Sequence, residues 1–377
     1  MEDLKYKMFP PFPHQDYLHH RQAVDAAVMR VFNSGQYLLG AAGKAFEMEF
    51  AAALGTRQAV GVASGTDAIE VMLRALEIGP GSKVVVPSLA AVAVAAGVAR
   101  AGAGVLLADC EPETLTLCPR ALEAVLKSQA GRDVKAALVV HLYGQIADWE
   151  GLQRVAREYG ILLLEDGAQA HGATWNGRSA GTLGRAAAFS FYPTKNLAAM
   201  GDAGAVATAD DELAECMRMI RQYGWRQPHI SEVEGVNSRL DEVQAEILRV
   251  KLTTLPVRLQ TRRELAARYS QRLGAGGVVR PPMVRAACEP AWHQYVVRSS
   301  RRDELQNWLQ SAGVPVARHY RLAIHQQPAY ACREFSPLPL PETERAVAEI
   351  LSLPLHPYLT LEAVEAVCSA IEQFGAA

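Results

Sequence analysis

The sequence carries little surplus charge of either sign. Its 377 residues include 38 Lys and Arg against 40 Asp and Glu, a formal net charge of −2. No basic excess points to nucleic acid, and no polybasic run points to an anionic membrane surface. The six cysteines (Cys110, Cys118, Cys216, Cys288, Cys332 and Cys368) are scattered, with no CxxC pair and no metal-ligand spacing. They read as reduced thiols of a cytoplasmic protein, and no metal is expected. The charged start, with Glu2, Asp3, Lys5 and Lys7, has no apolar core behind it, so no signal peptide is expected. Long apolar runs are scarce too. Residues 84–99 are almost uncharged and approach the length of a membrane span. Pro87 and Ser88 split that stretch and Arg100 ends it, which predicts a buried strand followed by a buried helix. Internal repeats and low-complexity linkers are absent.

What is present is core. Half of the residues are hydrophobic, and the length suffices for one large domain and a smaller one. Residues 1–30 read as an arm, extended at its start by Pro10, Pro11 and Pro13, with helical spacing over 20–32. A turn-rich link at 35–40 leads to a helix over 46–54. Strands at 59–63, 83–86, 105–109 and 136–141, and one ending at Asp166, then alternate with helices at 67–76, 89–101 and 148–159. That alternation predicts the α/β class, with a mostly parallel sheet wound on both faces. Strand 205–208, helix 211–222 and a polar stretch at 223–240 follow. A helix from 241 to about 252 leads into a smaller domain. The expected division is 1–30, 31–250 and 251–377.

Ligands on such sheets sit at the carboxyl ends of the strands, and three segments fall there. Ala63-Ser64-Gly65-Thr66-Asp67-Ala68 closes a strand and opens a helix, a seat for phosphate. Leu162-Leu163-Leu164-Glu165-Asp166-Gly167-Ala168-Gln169-Ala170-His171-Gly172 is a buried strand ending in a carboxylate. Ser190-Phe191-Tyr192-Pro193-Thr194-Lys195-Asn196 turns at Pro193 and sets Lys195 at the mouth of the sheet. Among apolar neighbours that amine could be neutral enough to attack a carbonyl. Taken singly, each segment also fits a plainer role. Lys195 fits a solvated surface charge, Asp166 a helix N-cap, Gly65 a turn, Thr66 a helix cap and Ser190 a half-buried strand residue.

Together, in this order, these strings resemble the DegT/DnrJ/StrS family of pyridoxal-phosphate (PLP) sugar aminotransferases, over nearly the whole chain. The resemblance implies the aspartate-aminotransferase fold (PLP fold type I), with a small C-terminal α+β domain. It implies that Lys195 bonds to PLP and then moves a proton between the amino-donor carbon and the cofactor. Asp166 would pair with the pyridine nitrogen, Gln169 would meet the phenolic oxygen, and Ala168 would lie against the ring. Gly65, Thr66 and Ser190 would hold the phosphate. Gly235-Val236-Asn237-Ser238-Arg239-Leu240 matches the family string whose Asn reaches the partner's phosphate, so a homodimer with shared sites is expected. Tyr37, Arg239, His319, Tyr320 and His325 are further candidates for the sugar side.

Three departures from the family text bear on the substrate. Pro87-Ser88-Leu89-Ala90-Ala91 has alanine where an aromatic usually covers the cofactor. Tyr223-Gly224-Trp225-Arg226-Gln227-Pro228-His229 has proline where a pyrophosphate-gripping lysine is frequent, leaving Arg226 or His229 as replacements. Tyr320 is followed by Arg321 rather than proline. The expected reaction is transfer of an amino group from L-glutamate to a nucleotide-linked keto-deoxysugar, closest in look to amination of dTDP-3-keto-6-deoxyhexoses. An aminocyclitol aminotransferase and a non-catalytic PLP-binding regulator are the alternatives.

Overall fold

A computed structural model of the chain describes residues 8–9, 12–274, 277–330 and 335–376. Pro10, Pro11, Cys332 and the charged start at Glu2, Asp3, Lys5 and Lys7 lie outside the described residues.

Short runs rich in Val, Leu and Ala suit strands covered on both faces. Among the described residues, seven such runs form one sheet. They are β1 (Gln58–Val62), β2 (Lys83–Pro87), β3 (Gly104–Ala108), β4 (Val134–Val140), β5 (Leu162–Asp166), β6 (Ala187–Ser190) and β7 (Gly204–Thr208). Their order is β1-β7-β6-β5-β4-β2-β3. Strands β2 to β6 run parallel, and β7 is antiparallel to both neighbours, β6 and β1. Since β1 and β6 each oppose β7, they point the same way. The carboxyl ends of β1, β5 and β6 therefore share one edge of the sheet.

Helices cover both faces. Along β2, Val84 and Val86 enter one core with Ile69 and Met72, while Val85 enters the other with Phe46, Trp149 and Leu152. This is the two-residue period of a strand packed on both sides. The flanking helices are α1 (Phe12–Ser34), α2 (Ala41–Leu54), α3 (Gly65–Ala75), α4 (Val92–Arg100), α5 (Pro119–Lys127), α6 (Trp149–Tyr159) and α7 (Asp211–Ile220). In α6, Trp149, Leu152, Val155 and Ala156 form the buried stripe, Asp148 caps the start, and Gly160 ends it in the left-handed region at φ 64°. Residues 84–99 divide into β2 and α4, and no helix among the described residues is long and apolar enough to cross a membrane.

Three helices are longer than their sequence signals, α2 among them, which starts at Ala41 rather than at residue 46. Helix α1 starts at Phe12, not residue 20, and Pro13 lies in its first turn, where a missing N–H costs no bond. Helix α8 runs Glu242–Leu273, well past residue 252 and through Pro256. Its buried stripe (Lys251, Leu255, Leu259, Arg262, Ala266, Tyr269, Leu273) keeps helical spacing across the proline, so packing overrides the lost backbone bond. Buried Asp16 of α1 ties the two helices. Its carboxylate is 2.6 Å from Lys251 Nζ and 3.1 Å from an Arg258 nitrogen, and accepts from the Tyr358 hydroxyl at 2.8 Å.

Beyond α8 the chain builds a second, smaller core. The antiparallel pair β8 (Tyr295–Arg298) and β9 (Ile350–Leu353) packs with α9 (Arg302–Ser311), α11 (Leu361–Ala376) and the last turns of α8. Helix α10 (Pro341–Glu349) leads into β9.

Candidate active site

At the end of β1, Ser64 caps α3. Its hydroxyl accepts from the Asp67 amide at 3.1 Å and its carbonyl from the Ala68 amide at 2.9 Å. The cap is Ser64 rather than Thr66. The amides of Gly65 and Thr66 are thus left without partners in their own helix, at the positive end of its dipole. Gly65 lies directly against Ser190. A Cβ on it would fall 2.6 Å from the Ser190 Cβ, so only glycine lets the helix start this close to β6. A Cβ at Gly204, the β7 partner of Ser190, would fall 2.3 Å from the Ser64 carbonyl oxygen. Ser190 Oγ accepts from the Tyr192 amide at 3.3 Å, leaving its proton free to donate. Two free amides and one hydroxyl converge on a hollow suited to an oxyanion.

This hollow opens into a cavity of about 370 Å³ whose lining includes Asp166, Ala168, Gln169, Lys195, His293, His319 and Tyr320. Asp166 ends β5, buried, with Oδ1 accepting from the Ala168 amide at 2.9 Å. Burial pushes its carboxyl up, against opposing pulls from the Ala168 amide and the charges of Lys195 and His141. Neighbouring Glu165 points the other way, into the core, where it accepts from His141 and from the amides of Gly181, Leu183 and Gly184. The alternation of a strand thus splits two adjacent carboxylates into a structural one and a cavity one. Lys195 leaves the turn after β6, its amide donating to the Tyr192 carbonyl at 2.8 Å. Burial pulls its amine down from the ordinary lysine range, and the Asp166 carboxylate opposes that.

The far wall comes from the smaller unit. Gln169 Oε1 accepts from the Tyr143 amide and its Nε2 donates to the Tyr320 hydroxyl at 2.9 Å. The Tyr143 hydroxyl donates to the His319 carbonyl, and His319 Nδ1 pairs with Ser352 Oγ at 2.9 Å. Burial, then the Asp166 charge, push the Tyr320 phenol up to about 12. It therefore stays neutral near neutral pH.

Of the sequence candidates, Gly65, Thr66, Asp166, Ala168, Gln169, Ser190, Lys195, His319 and Tyr320 meet at this cavity. The others stand away from it. Asn237 is exposed, on a bridge with Gln222. Arg226 pairs with Glu232 on a small hairpin, with His229 against the Trp225 ring. Arg239 lies over Tyr223, and Tyr37 is exposed. His325 Nδ1 is 2.8 Å from Ser88 Oγ, and neither residue lines the cavity. At Ala91 that wall is a small side chain, followed by Ala93 and Val94. Sequence reasoning missed His293 and Gln294, which line the cavity from the segment entering β8. Their signal was slight, a polar pair between Trp292 and the apolar strand.

The residues present fit PLP. The hollow closed by Gly65 and Ser190 matches a phosphate, a buried carboxylate suits a ring nitrogen, and a lysine of lowered basicity suits a carbonyl carbon. The sequence profile of the DegT/DnrJ/EryC1/StrS aminotransferase family matches residues 19–372. The chain belongs to this family. It is a PLP-dependent transaminase with the fold of that family. Over 355 residues it is 42% identical to dTDP-3-amino-3,4,6-trideoxy-alpha-D-glucose transaminase of Streptomyces venezuelae, covering 94% of this chain and 93% of that one. The crystal structure of DesV from S. venezuelae, captured with a reaction intermediate, superposes with a TM-score of 0.94. It is 41% identical and the match covers 98% and 99% of the two chains. NtdA of Bacillus subtilis with bound cofactor PMP matches at 26% identity and a TM-score of 0.88, over 99% and 89%.

Proposed function

We propose that this aminotransferase moves an amino group from L-glutamate to carbon 3 of a dTDP-linked keto-6-deoxyhexose. The observation that carries the reaction is the placement of Lys195 and Asp166 on one cavity, beside the phosphate hollow of Gly65, Thr66 and Ser190. The names of the relatives support the sugar and its nucleotide. When bound, PLP supplies an electron-withdrawing ring that eases removal of a proton from the carbon bearing the amine. The chain's own groups do the rest. Gly65, Thr66 and Ser190 bind the phosphate, and Asp166 keeps the ring nitrogen protonated. Gln169, with one Nε2 hydrogen not used by Tyr320, would serve the cofactor's phenolic oxygen, and Ala168 would offer an apolar contact to its ring. Lys195 Nζ holds the cofactor and, once freed, carries the proton between carbons. Mass spectrometry of products from dTDP- and UDP-linked ketosugars and from cyclitol ketones, each with glutamate, tests the reading. Amination of a dTDP-3-ketosugar supports it. Product from the cyclitols alone would replace it with the aminocyclitol reading.

We also take the enzyme to be a cytoplasmic homodimer, divided near residue 250, in which Asn237 serves the partner's phosphate. Its exposure outside its own cavity supports this. Inactive Lys195→Ala and Asn237→Ala proteins, allowed to exchange subunits, should regain about a quarter of wild-type activity, because half of the dimers then hold one intact site. No recovery despite proven exchange would confine Asn237 to its own subunit.

A further inference from the structure

Ser238 is buried, stands one residue after Asn237, and has no part in the reaction described above. Its hydroxyl oxygen accepts from the Ala63 amide at 3.0 Å and donates to Asp67 Oδ2 at 2.8 Å. A serine hydroxyl has one hydrogen, so the two bonds fix its direction, in from the residue after β1 and out to the first turn of α3. Ala63 and Asp67 flank Gly65 and Thr66, whose amides face the phosphate hollow. One buried side chain thus grips the phosphate turn from both sides. Its own place does not depend on that grip. The Ser238 amide donates to the Arg221 carbonyl at 2.9 Å and the Val236 amide to the Ile220 carbonyl at 2.7 Å, which fastens the segment to the end of α7.

Asp67 is the group that needs holding. Its carboxylate belongs to the same first turn as the two open amides. A carboxylate there is drawn to the positive end of the helix dipole and can bond the turn's own N–H groups. Left free, it is a resident rival of the phosphate. In the structure both of its oxygens are engaged elsewhere, Oδ2 by Ser238 and Oδ1 by an Arg100 nitrogen 2.8 Å away. Arg100 is half-exposed at the end of α4 and is shared with Glu70, also at 2.8 Å. Ser238 gives its only hydrogen to Asp67, in a place where no water can take over.

We propose that Ser238 is a positioning residue for the phosphate site: it holds the Asp67 carboxylate off the Gly65 and Thr66 amides and so keeps those amides for the cofactor. The inference rests on the reading that these amides bind the phosphate. Its test needs neither sugar nor turnover.

Full-length protein freed of cofactor is titrated with PLP and with pyridoxal, which has the ring and the aldehyde but no phosphate, and binding is followed by protein fluorescence. Ser238→Ala removes one oxygen and adds no bulk. It should bind PLP about tenfold more weakly and pyridoxal as the wild type does. Adding Asp67→Asn to Ser238→Ala removes the rival charge and should bring PLP affinity back to within about threefold of wild type. Weaker binding of both ligands by Ser238→Ala would make the serine merely structural and overturns the proposal. Unchanged PLP binding overturns it too, as does a selective loss that Asp67→Asn leaves unrepaired. Gly65→Ala separates the premise from the inference. If that variant keeps the wild-type preference for PLP over pyridoxal, the phosphate is held elsewhere and the reading of the hollow falls. If it erases the preference while Ser238→Ala does not, only the role of Ser238 falls.

Discussion

Gln169 Nε2 donates to the Tyr320 hydroxyl across 2.9 Å, joining the end of β5 to the smaller unit at the wall of the cavity. The Tyr143 amide occupies Gln169 Oε1 and so decides which end of the amide faces Tyr320. Because the phenol accepts from Gln169, its own proton is directed elsewhere. Tyr320→Phe should lower the unfolding free energy of PLP-free protein by about 1 kcal/mol. Gln169→Leu should cost more, about 2 kcal/mol, because the Tyr143 amide is orphaned as well. The double variant should fall short of the sum by about 1 kcal/mol in urea titrations. Simple additivity would mean that the two side chains do not support each other.

Lys195→Ala should remove the visible absorbance of lysine-bound cofactor from the purified protein and lower turnover by at least about a thousandfold. Supplying PLP already condensed with the amino donor should restore binding and leave turnover lost, since the proton carrier is missing. Wild-type protein given glutamate alone should convert its cofactor to the pyridoxamine form. A wild type whose cofactor no amino donor ever discharges would point to the regulatory reading instead.

Gly65 has no room for a side chain against Ser190. Gly65→Ala should push α3 away from β6, splay the two amides and weaken PLP binding by at least about tenfold, or about 1.4 kcal/mol. A fluorescence titration of PLP into the apo protein reads this directly. Unchanged affinity would mean that the phosphate is held elsewhere.

His171 lies under the site between Phe189 and Phe191, ring centroids 5.4 and 5.6 Å away, and neither of its nitrogens makes a well-formed hydrogen bond. Burial first, then the Lys195 charge, pull it down to about 3. The unfolded chain therefore takes up its proton near pH 6.5 and the folded one only near pH 3. Stability from this group is full above pH 6.5 and is lost as pH falls toward 3. His171→Phe should remove that loss, so between pH 7 and pH 5 the wild type should lose about 2 kcal/mol more than the variant. Parallel urea midpoints at the two pH values would contradict this.

Local text was enough for the elements and ends that matter most. Each of Ser64-Gly65-Thr66, Asp166 to Gln169, and Ser190 to Lys195 is contiguous and lies where a strand stops. The two-residue and 3.6-residue periods also mark which strands and helices are buried. The same text could not show that Ser64 caps α3, since Ser64, Thr66 and Asp67 all suit a helix start and only the backbone path chooses among them. It stopped α8 at residue 252 because a proline argues locally against helix, whereas the stripe from Lys251 to Leu273 is held by two cores at once. Above all, it could not bring His293 to the cavity that Lys195 lines, or Tyr320 to Gln169. Those pairs are distant in sequence and are joined by the docking of the smaller unit against the sheet. Such docking depends on the summed shape of buried surfaces, and no short string encodes that sum.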